Sequence, residues 1–340
     1  MSDAGPQPAP PPPDPAAEAL RVPADLLARL QKAIGENVIG YGDAVEALTI
    51  ALACDGHLLL EGVPGLAKTY LVRSFAHALD LSFRRIQFTP DMLPADIIGN
   101  VVLNPSTRSL EFRPGPVFAN VVLADEINRA PPKVQSALLE AMQEYQVTVD
   151  GQTYPLARPF LVIATQNPIE QGGTYPLPEA QLDRFLFRYL LGYPARADEV
   201  RILQRQGEAP GQEPAPRIVT GDEVALLRAR QAATYVSPAI FEYVADVIRE
   251  TRRDARILIG ASPRAGVHLL LAARARAALD GRRYVLPDDV RALAFPTLNH
   301  RIILKPEVRR PPGRETASPR EPDVLREVVG AAVDRVAVPR

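Results

Sequence analysis

The feature that most restricts this chain is a short apolar run, His57-Leu58-Leu59-Leu60-Glu61, that breaks into Gly62-Val63-Pro64-Gly65-Leu66-Ala67-Lys68-Thr69 and continues with helical spacing through Val72, Phe75 and Leu79. A buried strand, a glycine-bearing loop and a helix in that order turn backbone N–H groups toward one point at a helix N-terminus, where an anion binds. A lysine and a hydroxyl residue at the loop's end suit a phosphate chain and its metal ion. The general pattern has a second glycine before the lysine, and Ala67 stands there instead. By itself the segment also fits an ordinary strand-to-helix turn.

A second segment decides between these. Asn120-Val121-Val122-Leu123-Ala124-Asp125-Glu126 is a strand-length apolar run ending in two adjacent carboxylates. At the carboxyl end of a parallel strand they lie where open α/β sheets gather ligands. In phosphate-loop enzymes the first such carboxylate holds magnesium and the second polarises an attacking water. Further runs at 160–165 and 185–191, with a helical pattern at 132–145 between the strands, add the alternation of a parallel sheet covered by helices.

Upstream, Leu26, Leu27, Leu30 and Ile34 repeat at helical spacing, and Val45, Leu48, Ile50 and Leu52 suggest a second helix, with Val38-Ile39-Gly40 between them. After Gly192 the pattern becomes helical only, which places a domain boundary near Pro194. Thr220-Gly221-Asp222-Glu223 has capping-box spacing, and Ser237-Pro238 and Ser262-Pro263 each set a cap residue before a first-turn proline. The expected organisation is a proline-rich tail over 1–20, an α/β nucleotide-binding domain over 21–193 and a helical lid over 194–306. A proline-rich linker over 307–322 and a C-terminal helix and tail over 323–340 complete it. Another proline- and glycine-rich break falls at 207–216, and the chain has no internal repeat.

Three more side chains are candidates on weaker local grounds. Asn167, in Gln166-Asn167-Pro168 at the end of a strand, can hold a water near a phosphate, and Asn-Pro also simply starts turns. Arg184 opens the last strand, with Asp183 or Glu179 as alternative salt-bridge partners. Arg264 lies in the first turn of a helix, where a cation is unfavourable by about 0.3 to 1 kcal/mol unless an anion offsets it; a solvated side chain is the alternative. Two hairpin-like segments, at 100–112 and around Asp150-Gly151, read as insertions or as plain surface hairpins.

Taken together, in this order, the segments 62–69, 121–129, 165–168, 177–185 and 262–264 make the sequence resemble the MoxR family of AAA+ ATPases, over residues 22–306. Its clade also contains magnesium chelatase ATPase subunits and minichromosome maintenance helicases. Ala67 is similar to a variant common in that family. The resemblance implies a parallel sheet of order 5-1-4-3-2 with an all-helical lid, and ATP sandwiched between subunits of a ring, a hexamer. It implies magnesium held by Thr69 and Asp125, Glu126 as the base, Asn167 as sensor 1, Arg184 as an arginine finger entering the neighbouring subunit, and Arg264 as sensor 2. Residues 62–69 would cradle the phosphates, and Val38, Ile39 and Gly40 would line the adenine pocket. The two hairpins would be the helix-2 insertion and the pre-sensor-1 hairpin. Family members act as chaperone-like machines on protein clients, often with a von Willebrand factor A domain partner.

Composition limits the alternatives. Lys plus Arg at 39 against Asp plus Glu at 40 leaves a net charge of -1, so no global field draws the chain to nucleic acid or anionic lipid. One cysteine and four scattered histidines offer neither an internal disulfide nor a metal-ligand spacing. The most apolar stretch, 44–60, is interrupted by Glu46, Asp55 and His57, so no membrane span is expected. The opening residues lack the charged and apolar regions of a signal peptide, and a cytoplasmic location is the expectation. A nucleic-acid translocase calls for basic hairpin tips, yet only Arg108 and Arg113 lie near the first hairpin and no cation lies in the second. A nucleotide-bound scaffold with little turnover is a third reading, and the presence of Glu126, Asn167 and Arg184 argues against it.

Overall fold

The structure is a computed structural model that describes residues 25–63, 65–166, 174–208, 215–309 and 321–339. The proline-rich tail, Pro64, Asn167, much of the 207–216 break and most of the 307–322 linker lie outside the described residues. The chain forms two compact units, one over 25–224 and one over 225–340.

The first unit opens with helix α1 (Leu26–Gly35), which buries Leu26, Leu30, Ala33 and Ile34 along one face, and α2 (Gly42–Ala53), buried along most of its length. Strand β1 (Leu58–Glu61) leads into α3 (Lys68–Ala78), followed by β2 (Phe83–Gln87), the short α4 (Pro94–Ile98) and an antiparallel hairpin of β3 (Gly99–Leu103) and β4 (Leu110–Pro114). Next come β5 (Val121–Asp125), α5 (Pro132–Glu144), the hairpin β6 (Gln146–Val149) and β7 (Gln152–Pro155), β8 (Leu161–Gln166), α6 (Glu179–Leu182), β9 (Phe187–Leu190) and α7 (Arg196–Glu208).

Five strands pair in parallel in the spatial order β2-β5-β8-β1-β9. Counted in chain order within this sheet alone, that is 5-1-4-3-2, as the resemblance implied. The inner strands β1 and β5 are buried at every position, the signature of a sheet covered on both faces. Strand β2 was not visible as a strand in the sequence. It is the sheet's edge, and its Phe-Arg-Arg-Ile-Gln buries only Ile86 fully, so no apolar run announces it.

The two hairpins sit where the sequence placed them. Asp150 and Gly151 have φ of 50° and 78°, the two left-handed residues that a two-residue hairpin turn requires. Phe112 of the first hairpin stacks on Tyr154 of the second at 3.8 Å between ring centroids. At the base of the first hairpin, a Cβ on Gly115 would lie 2.3 Å from the Ile97 carbonyl, so only glycine permits the crossing.

The second unit is built from most of α8 (Gly221–Ala233), α9 (Pro238–Thr251), α10 (Pro263–Leu279), α11 (Pro287–Leu298), α12 (Pro306–Arg309) and α13 (Glu321–Arg335). The written-out caps all form. Thr220 Oγ1 accepts from Glu223 N at 3.3 Å while Glu223 Oε2 accepts from Thr220 N at 2.9 Å, and Ser237 and Ser262 each accept from the N–H three residues on. Besides these helices, a two-stranded ribbon of β10 (Ile257–Ile259) and β11 (Ile303–Leu304) is present, too short to leave a sequence pattern.

Candidate functional site

Strand β1 delivers the chain to Gly62, where a Cβ would lie 2.9 Å from the Leu191 carbonyl; the loop therefore packs against the residue that leaves β9. Gly65 has φ +89°, a conformation open to glycine. Ala67 also lies in the left-handed region, at φ 52° and ψ 27°, and with only a methyl group it offers the first turn of α3 no side-chain cap. The N-terminal N–H groups of that helix are thus left for an anion.

Lys68 Nζ donates to the Gly62 carbonyl at 2.7 Å, folding the lysine across its own loop. Burial lowers its pKa, against the raising influence of Asp125, Glu126 and Glu61. Glu61 is itself buried and bound by Arg188 Nη2 at 2.8 Å, so the strand that precedes the loop carries no uncompensated charge.

The register of the sheet sets Asp125 beside its partners. In β5 and β8, Ala124 stands opposite Ala164, so Thr165 follows alongside Asp125; in β2 and β5, Gln87 stands opposite Asp125. Asp125 Oδ1 accepts from Thr165 Oγ1 at 2.5 Å. Asp125 Oδ2 accepts from Arg85 Nε at 2.9 Å and Nη2 at 2.7 Å, and lies 3.4 Å from Thr69 Oγ1.

Glu126 has left-handed backbone angles, φ 58° and ψ 48°. Its N–H donates to Thr165 Oγ1 at 2.9 Å, and its Oε2 accepts from Gln87 Nε2 at 2.6 Å and pairs with Arg129 Nε at 3.2 Å. Just downstream, buried Gln135 donates to the carbonyls of Ile127, Ala130 and Tyr175, which ties the turn after β5 to the segment before α6.

The structure therefore brings Lys68 and Thr69, in the first turn of α3, together with Asp125 and Glu126 at the end of β5. Arg184 is elsewhere engaged: its Nη1 donates to the Leu139 carbonyl of α5 at 2.9 Å. Arg264 is exposed in the first turn of α10, in the second unit. Val38 and Ile39 are buried in the loop between α1 and α2, and Gly40 has φ +89° with the Asp198 carboxylate 3.1 Å from where a Cβ would sit. Arg205 of α7 hydrogen-bonds Asn37 in the same loop.

Sequence reasoning missed Arg85, Gln87, Arg129, Gln135, Thr165 and Arg188. The available signal for the first two was their spacing: in a strand, residues two apart share a face. That signal is readable only once β2 is known to be a strand.

A phosphate loop on the first strand and adjacent carboxylates on the third, in a parallel sheet of order 5-1-4-3-2, define a P-loop ATPase of the AAA+ class. Comparison with known proteins agrees. Residues 57–187 match the ATPase family associated with various cellular activities (AAA), and residues 249–323 match the AAA lid domain. The chain is 44% identical to Chaperone MoxR1 of Mycobacterium tuberculosis, over 85% of this chain and 78% of that protein. It is 33% identical to Protein MoxR of Methylorubrum extorquens, over 84% and 90%, and 45% identical to the uncharacterised Bacillus subtilis protein YeaC, over 84% and 89%. A crystal structure from Cytophaga hutchinsonii assigned as an ATPase superposes with a TM-score of 0.83 at 39% identity, covering 95% of this chain and 97% of that one. The chain belongs to the MoxR family of AAA+ ATPases, and it is an ATP-hydrolysing enzyme of chaperone-like kinship.

Proposed function

We propose that this chain hydrolyses ATP with magnesium in a ring of identical subunits, a hexamer, and uses that cycle to remodel or mature protein clients in the cytoplasm, together with a von Willebrand factor A domain partner. The nucleotide-binding part is taken as 21–193 and the lid as 194–306. The observation that carries the reading is the convergence of Lys68 and Thr69, in the first turn of α3, with Asp125 and Glu126 at the carboxyl end of β5.

Thr69 and Asp125 offer a hydroxyl and a carboxylate oxygen, hard donors that suit magnesium, which prefers few protein ligands and several from phosphate and water. When bound there, magnesium neutralises charge on the phosphate oxygens. Residues 62–69 receive the phosphates through backbone N–H groups, and Lys68 exchanges its Gly62 carbonyl for a phosphate oxygen. Glu126, whose carboxylate is aimed by Gln87 and Arg129, accepts the proton of the attacking water, and Asn167 orients that water. Val38, Ile39 and Gly40 hold the adenine. Arg184 acts on the neighbouring subunit's nucleotide, leaving its Leu139 carbonyl, and Arg264 serves as sensor 2.

A protein client is favoured over nucleic acid by the hairpin tip. Leu103 and Leu110 pair across the end of β3–β4 and are 62% and 73% exposed, an apolar pair just below the polar 104–109 turn, whose one cation is Arg108. A patch of that kind fits a protein surface better than a phosphate backbone.

The test is the steady-state ATPase rate against protein concentration, for the native protein and Arg184→Ala, with magnesium present and then chelated. A rate per subunit that rises with concentration, collapses in the variant and vanishes without magnesium is expected. A concentration-independent rate untouched by the variant, whose melting temperature also reports the lost Leu139 bond, refutes the shared site.

A further inference from the structure

The two oxygens of Asp125 have different neighbours, and that difference bears on metal binding. Oδ1 is held by the Thr165 hydroxyl at 2.5 Å. Oδ2 is the oxygen that faces Thr69, 3.4 Å from its hydroxyl, so a cation held by Thr69 and Asp125 together draws on Oδ2. Arg85 already places two nitrogens on that same oxygen, Nε at 2.9 Å and Nη2 at 2.7 Å. A guanidinium and a carboxylate usually pair nitrogen to oxygen in two parallel bonds. Here both nitrogens fall on one oxygen, because Thr165 has the other. A carboxylate oxygen offers about two lone-pair sites, and the guanidinium takes both.

Burial explains why the arrangement can exchange. The Asp125 side chain is 11% exposed and costs energy without a cation beside it, whereas Arg85 is 46% exposed and can turn to solvent. Gln87 Oε1, 2.5 Å from Arg85 Nη2, steadies the guanidinium from the same strand.

We propose that Arg85 is a positioning residue that competes with the divalent cation for Asp125 Oδ2, holding the carboxylate neutralised and making tight metal binding depend on the further ligands that a nucleotide brings. This rests on the reading of Thr69 and Asp125 as the metal pair. Binding of Mn2+ to the full chain, followed by the spectroscopic signal of the free ion at a fixed saturating ADP concentration, tests it. Arg85→Gln tightens Mn2+ binding by about fivefold, the upper range for a half-exposed ion pair. Arg129→Gln, which removes an equal charge beside Glu126 instead, changes it by less than about twofold. Arg85→Gln also melts at a lower temperature than the native protein without Mn2+ and at the same temperature when Mn2+ is saturating. Unchanged or weaker Mn2+ binding in Arg85→Gln, equal tightening in Arg129→Gln, or an equal loss of melting temperature with and without Mn2+ each overturns the competition. Asp125→Asn separates the two levels: if it leaves Mn2+ binding intact, the metal pair itself is wrong and the inference falls with it. If it weakens binding while Arg85→Gln does not tighten it, the inference alone falls.

Discussion

Replacing Thr165 by valine removes one oxygen and keeps the shape, and the structure says what that oxygen holds. Its hydroxyl donates to Asp125 Oδ1 at 2.5 Å and accepts from the Glu126 N–H at 2.9 Å, so a single atom sets both carboxylate residues. Thr165 is 1% exposed, which leaves water little access to the groups released. A hydrogen bond to a charged group contributes about 1.5 to 3 kcal/mol, and stranding a partly buried N–H costs about 1 kcal/mol or more. The expected loss is therefore about 3 kcal/mol, or about 6 to 12 °C in melting temperature for a unit of this size.

Serine is the control, because it keeps both hydrogen bonds and loses only a buried methyl group, worth about 1 kcal/mol. Calorimetric melting and steady-state turnover at saturating ATP and magnesium separate the two effects. Valine lowers turnover by about a hundredfold, as expected for an aim error near 1 Å in the groups that act on phosphate and water, whereas serine stays near the native rate. If the valine variant melts at or above the serine variant and turns over within a few-fold of native, the hydroxyl does not organise the site.

Three shorter expectations accompany this one. Lys68→Ala abolishes binding of a fluorescent ATP analogue, whereas Glu126→Gln binds it and stops phosphate release; normal turnover in both shows the site assignment to be wrong. His57, buried between Met142 and Val162, has its pKa lowered by burial from 6.5 to about 4. The unfolded chain therefore binds the extra proton first, and about 3 kcal/mol of stability is lost as pH falls from 6.5 toward 4, a slope that urea titration finds reduced in His57→Gln. Gly115→Ala forces a Cβ to within 2.3 Å of the Ile97 carbonyl and 2.5 Å of the Gly99 nitrogen. It costs about 3 kcal/mol and exposes residues 99–114 to limited proteolysis, and unaltered cleavage contradicts the crossing drawn here.

What was legible in the sequence followed from burial. Strands β1, β5 and β8 are covered on both faces and so appear as unbroken apolar runs, each ending in polar residues where ligands gather. Strand β2 is an edge and spends its outward positions on Arg84, Arg85 and Gln87, so its chemistry stayed hidden with it. Thr165 was hidden for the opposite reason: it sits inside an apolar run and reads as one more core residue. Its partnership with Asp125 depends on β8 lying next to β5 in one particular register, a fact of topology that no local pattern contains. The Leu139 carbonyl that binds Arg184 was equally out of reach, since neighbouring Asp183 and Glu179 were the nearest candidates in the chain.

The same register explains why the site tolerates strained backbone at one of its two left-handed non-glycine residues. Ala67 and Glu126 both adopt left-handed angles, which cost an L-residue about 1 to 2 kcal/mol each. At Glu126 the strain turns the chain out of β5 just after Asp125, so that two consecutive residues, which in a strand would face opposite sides, both reach side chains of β2, Arg85 and Gln87. The hydrogen bond that the Glu126 N–H donates to Thr165, the one its carboxylate accepts from Gln87 and its ion pair with Arg129 offset that cost and hold the turn in place. At Ala67 no such bonds are made by the side chain, and glycine would adopt the angle freely. The methyl group narrows the choices open to the unfolded loop, which in part offsets the strain it adds to the folded one. A loop with alanine before its lysine can thus keep the phosphate-binding shape, and the departure from the general pattern at Ala67 is compatible with an intact site.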